Sequence, residues 1–379
     1  MLLYQKERKY FAQIAGGMEE AGAAEIKALG AESVETAIRG IHFRATKACL
    51  CRINYLSRFL TRVLAPLLRF DCPDADTLYR KTQTLSWPDI LGPENTFALF
   101  SNVSHSHINH SHYASLRVKD AIADQFRERF GKRPSVDTKE PDIWINLHIR
   151  SNSAVLSLDT SGGSLHRRGY RKEGLEAPLQ ETLAAAIIRL SEWDGSRPLA
   201  DPMCGSGTLL NEALMQYCRI PAGYLRARFG FEFLPDFDAA IWRSVKKKED
   251  RKIGKLPQGL ISGSDISARA VQMAEKNSRR LPEGEGISYR RSDFRNIPNL
   301  ENTVIVCNPP YGIRLENPEV SGKLMKDFGD FLKQKCKGSS AYIYFGEREL
   351  IKKIGLKPAW KKELRNGRLD GRLVRYDLY

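Results

Sequence analysis

Alternating and helically spaced apolar positions divide the chain into three successive stretches. In the first, Tyr10 to Ala15 alternates as a strand, and Met18 to Leu29 has helical spacing closed by Gly30. Val34 to Ile38 and Ile41 to Thr46 make short strands about Arg39-Gly40, and Lys47 to Arg58 is again helical. In the second, Thr77 to Ile90 reads as a helix, Thr96 to Val103 as a strand and Tyr113 to Phe130 as a long amphipathic helix. Ile143 to Ile149 and Ala154 to Leu158 then form a strand pair around Ser151-Asn152-Ser153. In the third, a helix from Leu179 to Trp193 precedes strands at Arg197 to Asp201, Leu260 to Ser264, Ser288 to Arg291 and Thr303 to Cys307, with helices at Leu209 to Tyr217 and Ala268 to Arg280. Ala341 to Phe345 and Leu373 to Tyr379 are expected to close this last sheet as an antiparallel pair, the second strand inserted at its edge.

The order β-α-β-β-α-β over residues 1–70 predicts a small ferredoxin-like unit. Residues 71–160 form a second α/β unit, and Ser161-Gly162-Gly163-Ser164 reads as a linker or tight turn into residues 161–379, where strands alternate with helices in a Rossmann-like order. The fold class is therefore α/β in three parts.

Composition narrows the function. The chain has 60 Lys+Arg against 45 Asp+Glu, a formal charge of +15, which favours a polyanionic partner, nucleic acid being the usual one. No run of about 18 apolar residues predicts a membrane span, and the N-terminal MLLYQKERKYFAQIAGG lacks a signal-peptide core, so a cytoplasmic location is expected. The seven cysteines, odd in number and widely spread, read as reduced thiols.

The chemistry gathers at TVIVCNPPYG, where an apolar strand turns abruptly into Asn308-Pro309-Pro310-Tyr311. An exocyclic base amine is a poor nucleophile because its lone pair is delocalised, so a site that alkylates it must hold acceptors against both N–H bonds. Asn308 offers a side-chain carbonyl and Pro309 a backbone one. Pro309 and Pro310 stiffen the turn and remove competing donors, and Tyr311 supplies a face for an extruded base. Upstream, Asp201-Pro202-Met203-Cys204-Gly205-Ser206-Gly207-Thr208 joins a strand to a helix. Such a loop admits close backbone approach, and Asp201 could receive the ammonium of an amino-acid-like cofactor such as S-adenosyl-L-methionine. Asp265, at the next strand end, is placed to accept ribose hydroxyls, and Asp293 to accept from an adenine amine with Phe294 packed on the ring.

Basic residues Arg117, Lys119 and Arg150 recur on the second unit, and Arg167, Arg168 and Arg171 fall in LHRRGYR, where they could grip phosphates or close over a cofactor. Cys49 and Cys51, and His105, His107, His110 and His112, lack metal-site spacing, and no metal is expected. Cys204 and Cys307 read as small packing residues. The Lys246 to Lys252 run reads as a solvated turn.

DPMCGSGTLLNEA, SGSDIS, RRSDFRN and CNPPYGIRL together resemble the consecutive motifs of class I S-adenosylmethionine-dependent methyltransferases acting on an amino nitrogen. Pro221-Ala222-Gly223, Arg228-Phe229-Gly230-Phe231-Glu232 and Trp242 are similar to bacterial THUMP-containing enzymes, as are the upstream SLRVKDAIADQFRERFG, LHRRGYR and APLQETLAAAII. The resemblance implies a ferredoxin-like domain, a THUMP RNA-binding domain and a methyltransferase domain. It implies a cofactor set of Asp201, Pro202, Cys204, Gly205, Ser206, Gly207, Thr208, Asp265, Ile266, Asp293, Phe294 and Asn308. It also implies methylation of guanine N2 in 23S ribosomal RNA or, in related members, transfer RNA. The shared NPPY leaves adenine N6, in DNA or RNA, open, and a non-catalytic RNA-binding assembly factor is the alternative of another class. A longer fused form of the family carries a second methyltransferase; this chain ends at Tyr379, so a single modification is expected.

Overall fold

The computed structural model describes residues 1–171, 179–310, 318–365 and 370–379. The chain runs α1 (Leu3–Glu7), β1 (Lys9–Ile14), α2 (Glu19–Ala28), β2 (Glu32–Ala37), β3 (Gly40–Arg44), α3 (Lys47–Leu56), β4 (Leu60–Asp71), α4 (Ala75–Gln83), β5 (Thr96–Ser104), α5 (Ser111–Phe130), β6 (Ser135–Val136), β7 (Ile143–Arg150) and β8 (Ser153–Asp159). It continues with α6 (Glu181–Leu190), β9 (Leu199–Asp201), α7 (Thr208–Tyr217), α8 (Ala239–Asp250), β10 (Ile261–Asp265), α9 (Ala268–Ser278), β11 (Ser288–Arg291), β12 (Val304–Cys307), α10 (Pro318–Lys335), β13 (Ser340–Phe345), α11 (Leu350–Lys353), β14 (Trp360–Glu363) and β15 (Arg372–Asp377).

The three expected parts fall into two compact units. One comprises Met1–Ile14, Glu19–Leu165 and Arg226–Lys246; the other comprises Ala15–Met18, His166–Leu225 and Lys247–Tyr379. The first unit holds one eight-stranded sheet in the order β2-β3-β1-β4-β8-β7-β5-β6. A single strand explains why two expected domains share it. The N-terminal half of β4 pairs antiparallel with β1, Phe11 opposite Leu64, and its C-terminal half pairs with β8, Asp71 opposite Ser153. A register shift between Pro66 and Leu68 accommodates the proline, which has no N–H to give the ladder. Local signals set the helices of this unit: Thr46 caps α3 by accepting from the Cys49 amide at 3.2 Å, Asp74 caps α4, and α5 stops at Gly131 with φ +69°.

Of the two readings of Ser161 to Ser164, the tight turn holds, with Gly162 at φ +67° and Gly163 at φ +103°, and not the linker. Thr160 and Ser161 are buried, and Asn54 of α3 ties both, donating to Thr160 Oγ1 at 3.0 Å and accepting from Ser161 Oγ at 2.8 Å. Arg226 donates to the carbonyls of Ser161, Gly162 and Ser164. The Lys246–Lys252 run, expected as a solvated turn, begins inside α8, whose helix continues to Asp250. All seven residues are charged, so no apolar spacing within the run marks a helix.

The second unit holds a seven-stranded sheet in the order β11-β10-β9-β12-β13-β15-β14. All pairings from β11 to β13 are parallel, and β15 is antiparallel to both its neighbours. The expected terminal strand is therefore interior, and β14 takes the edge with Lys361, Lys362 and Glu363 exposed. Central strands β12 and β13 are buried at every position, which is why they read as unbroken apolar runs. Ile305 and Cys307 on β12, Ile343 on β13 and Met325, Phe328 and Leu332 on α10 share one core cluster. The strand order reverses between β9 and β12, so a crevice opens at their carboxyl ends.

Candidate active site

Because β9 to β12 are parallel, their carboxyl ends lie along one edge of the sheet. Asp201 ends β9, Asp265 ends β10, Asp293 follows β11 and Asn308 follows β12. Four positions separated by more than a hundred residues are thereby brought to one side.

Asp201 is 2% exposed, and its only hydrogen bonds among the described residues come from the Met203 amide at 3.1 Å and the Cys307 thiol. Burial, and then the charge of Asp265, outweigh those donors and push its carboxyl up to about 8. A carboxylate so placed calls for a cation. The side-chain carbonyl of Asn308 is in the complementary state: Oδ1 is sealed from solvent and has no hydrogen-bond partner among the described residues. A buried acceptor without a donor costs on the order of 1–3 kcal/mol, so Oδ1 is available to an incoming donor. Pro309 is buried and Pro310 half-buried, holding the turn; Tyr311 lies outside the described residues.

The loop after Asp201 is shaped by two glycines in the left-handed region, Gly205 at φ +53° and Gly207 at φ +79°. Its amides are largely engaged within the protein. Cys204 N–H donates to the Ser264 carbonyl at 2.9 Å, Gly205 N–H to Asp265 Oδ2 at 3.0 Å and Gly207 N–H to the Cys204 carbonyl at 2.9 Å. Asp265 also accepts from Ser267 N–H at 2.9 Å, leaving each of its oxygens a free lone pair. Pro202, Ser206 and Thr208 are buried in the loop, while Ile266 is 65% exposed beside Asp265, an apolar face for a flat ring.

Two sequence expectations are corrected, the roles of Phe294 and Arg168. Phe294 is 3% exposed and packs edge-on against Phe328 and Phe331, at 5.2 and 5.6 Å between centroids, so its ring belongs to the core and is not free for an adenine. Asp293 caps its own turn from the Arg295 amide at 2.9 Å and is paired with the Arg295 guanidinium at 2.8 Å, which leaves each of its oxygens a free lone pair, as at Asp265. Arg168 is 1% exposed against the fully buried Glu212, 3.3 Å away, with the Tyr170 hydroxyl donating to the same carboxylate at 3.2 Å. A guanidinium so enclosed cannot reach a phosphate. Arg171 lies nearby and donates to Thr208 Oγ1 at 2.8 Å, so this arginine braces the first turn of α7.

Among the other basic candidates, Arg117 is paired with Asp76 at 2.9 Å and Lys119 with Asp120 at 2.9 Å, Arg167 is exposed, and Arg150 is exposed without an ion-pair partner among the described residues. Burial pushes the thiols of Cys204 and Cys307 well above their usual range, which keeps them protonated and suits packing, not nucleophilic attack.

Sequence reasoning missed the scaffold behind the loop. Asn277 of α9 donates to the Ser206 carbonyl at 3.1 Å, and Tyr289, Ser278 and Asn211 form a buried hydroxyl–amide chain with 2.7 Å links. No spacing in the sequence signals these contacts, since each joins separate elements.

Comparison with known proteins matches residues 168–375 to the model described as RMKL-like methyltransferase domain, residues 72–159 to the THUMP domain and residues 9–64 to the RlmL ferredoxin-like domain. A Synechocystis sp. protein that carries the provisional name RNA methyltransferase is 39% identical over 373 residues, 98% of this chain and 97% of that one. The ribosomal RNA large subunit methyltransferase K/L of Syntrophotalea carbinolica is 38% identical over 381 residues, 98% of this chain and 53% of that one. The chain thus spans about half the length of the K/L relatives it matches. A crystal structure of a provisionally assigned methyltransferase complexed with SAH aligns with a TM-score of 0.85 at 27% identity, covering 98% of each chain.

Proposed function

The chain belongs to the RMKL-like methyltransferase family, in the arrangement with RlmL ferredoxin-like and THUMP domains, and from that membership we propose that it methylates the exocyclic N2 amine of a guanine in RNA, 23S ribosomal RNA first among the candidates. It is an S-adenosyl-L-methionine-dependent methyltransferase. The observation that supports the amine reading is the buried, donorless Oδ1 of Asn308 at the end of β12.

The residues present fit the cofactor. Asp201 is a buried carboxyl whose ionised form needs a cation beside it, which an amino-acid ammonium is; Asp265 keeps lone pairs for ribose hydroxyls; Ile266 offers apolar surface. When bound, the sulfonium supplies an electrophilic methyl. Asn308 Oδ1 accepts one N–H of the amine and the Pro309 carbonyl the other, drawing the nitrogen out of conjugation with the ring and aiming its lone pair. Pro309 and Pro310 hold those acceptors rigid, so little ordering cost remains for the reacting complex. Tyr311 is proposed as the face against which the flipped base stacks.

Nucleoside mass spectrometry tests the assignment. Total RNA from cells with and without the gene is fractionated, and loss of N2-methylguanosine from 23S RNA alone is the expected result. Loss from transfer RNA alone, or of N6-methyladenosine, would overturn the substrate or the base.

A further inference from the structure

A cavity of about 510 Å3 opens on one face of the eight-stranded sheet. It lies on the face that carries Lys9, Phe11 and Gln13, opposite the one on which Ala12 and Ile14 pack. Register builds its floor. Five neighbouring strands, β3-β1-β4-β8-β7, are all antiparallel, so residues directly opposed share a face. Phe11 stands between His42 and Leu64, Ser157 between Pro66 and Asn146, and Val155 between Arg69 and His148.

Three kinds of group meet there. The Phe11 and His42 rings lie 4.8 Å apart, and Ile38, at the rim, is 81% exposed, an apolar residue left in water. The half-buried Gln13 amide supplies donors and acceptors among the apolar surfaces, while Asn146, which donates to the Phe100 carbonyl at 3.2 Å, and Ser157 lie buried in the floor. Arg69 and Arg150 are exposed and pair with no carboxylate among the described residues, whereas Lys9 pairs with Glu7 at 3.2 Å. Burial, and then the cations beside them, hold His42 and His148 below the usual imidazole range: Arg69 and Lys9 act on His42 against Glu35, and Arg150 acts on His148. Both rings are therefore neutral at pH 7 and present flat, uncharged faces.

A volume within the range of small-ligand pockets, aromatic faces, the Gln13 amide and two uncommitted guanidiniums match the needs of unstacked bases joined by phosphates. A duplex hides its base faces and has no use for such a floor. We propose that this sheet face is a second RNA contact, which holds an unpaired segment with one or two bases against Phe11 and His42 and phosphates on Arg69 and Arg150. The inference rests on the RNA reading of the methyltransferase and adds where, and in what conformation, the RNA is gripped.

Fluorescence anisotropy of the full chain with labelled single-stranded octamers of adenosine or uridine, and with a hairpin duplex of equal charge, tests it. Single strands should bind at least about fivefold tighter than the duplex. Arg69→Gln combined with Arg150→Gln should cost about tenfold or more and lower the slope of log affinity against log salt by about two. Phe11→Ala should cost about fivefold or more on the adenosine octamer. Circular-dichroism melting, unchanged in every variant, controls for folding of the unit that carries the substitutions. Crosslinking of a 4-thiouridine octamer to the wild-type chain, which needs no variant, should label peptides containing Phe11 and Asn146 to Arg150. Unaltered affinity in folded variants, labels confined elsewhere, or a free mononucleotide outcompeting the octamer would overturn the proposal. Methyl transfer to RNA by the same variants separates the two readings. Transfer with octamer binding indifferent to the substitutions sinks the sheet contact alone, while the expected binding pattern without transfer to any RNA sinks the methylation reading and leaves the contact standing.

Discussion

Replacing Asp201 by asparagine should stabilise the cofactor-free chain at alkaline pH and abolish the proton release that accompanies cofactor binding. In the folded protein this carboxyl is pushed from 3.8 up to about 8, first by burial and then by Asp265, against the Met203 amide and Cys307 thiol. A shift of about four units corresponds to a ceiling on the order of 6 kcal/mol of differential interaction. The sign follows from proton linkage: between about pH 4 and pH 8 the folded carboxyl keeps a proton that the unfolded one has lost. The group imposes no cost below pH 4, a growing cost as pH rises, and its full cost above pH 8. Asparagine can still accept from Met203 N–H but carries no charge to desolvate. Melting temperatures of the two proteins should therefore be close at pH 5 and diverge by pH 8.5, with the variant higher.

Binding gives the second readout. At pH 7 roughly nine-tenths of cofactor-free molecules carry the Asp201 proton, taking a carboxyl value near 8. An ammonium brought beside the group favours the anion and expels that proton. Titration calorimetry of SAH in two buffers of different ionisation enthalpy should report close to one proton released per site in the wild type, with affinity in the Asp201→Asn variant too weak to measure. Identical heats in the two buffers, or a variant that melts lower at pH 8.5, would refute the reasoning.

Asn308→Ala should lower the rate of methyl transfer by about a hundredfold or more while leaving RNA affinity within about twofold, measured by single-turnover transfer and by anisotropy. Gly207→Ala places a Cβ 2.8 Å from the Tyr289 hydroxyl and 3.1 Å from Ala274 Cβ at a φ of +79°, and urea unfolding should show a loss of about 1–3 kcal/mol together with weaker SAH binding. Glu212→Ala leaves Arg168 buried without its counter-ion and should cost about 3–5 kcal/mol, whereas Arg168→Met combined with Glu212→Leu should recover most of that loss in the same unfolding assay.

Much of the site was legible because its signals are local. The apolar run into Asn308, the glycines about Cys204 and Ser206, and acids placed where strands stop each express a rule that acts within a few residues. The placement of Phe294 was not legible. A ring next to a strand end can turn toward ligand or core, and Phe328 and Phe331, more than 30 positions on, decide that it turns inward. Arg168 is a similar case: a positive residue reads as exposed until a buried Glu212 arrives from another helix. That Ser161 to Ser164 is the tight turn and not the linker was undecided for the same reason, since Asn54 and Arg226, which hold it, are distant in sequence.

By itself the sequence determined the periods, the glycine turns and the set of chemical groups, since backbone sterics and hydrophobic spacing need no distant partner. Tertiary structure decided everything that depends on burial or on opposed strands. It joined two expected domains through β4, carried the acceptor of Asn308 out of water and stripped Asp201 of solvent until its carboxyl held a proton near neutral pH. Desolvation and cross-strand register are properties of which elements surround a residue, and a linear sequence does not contain that neighbourhood until the chain has folded.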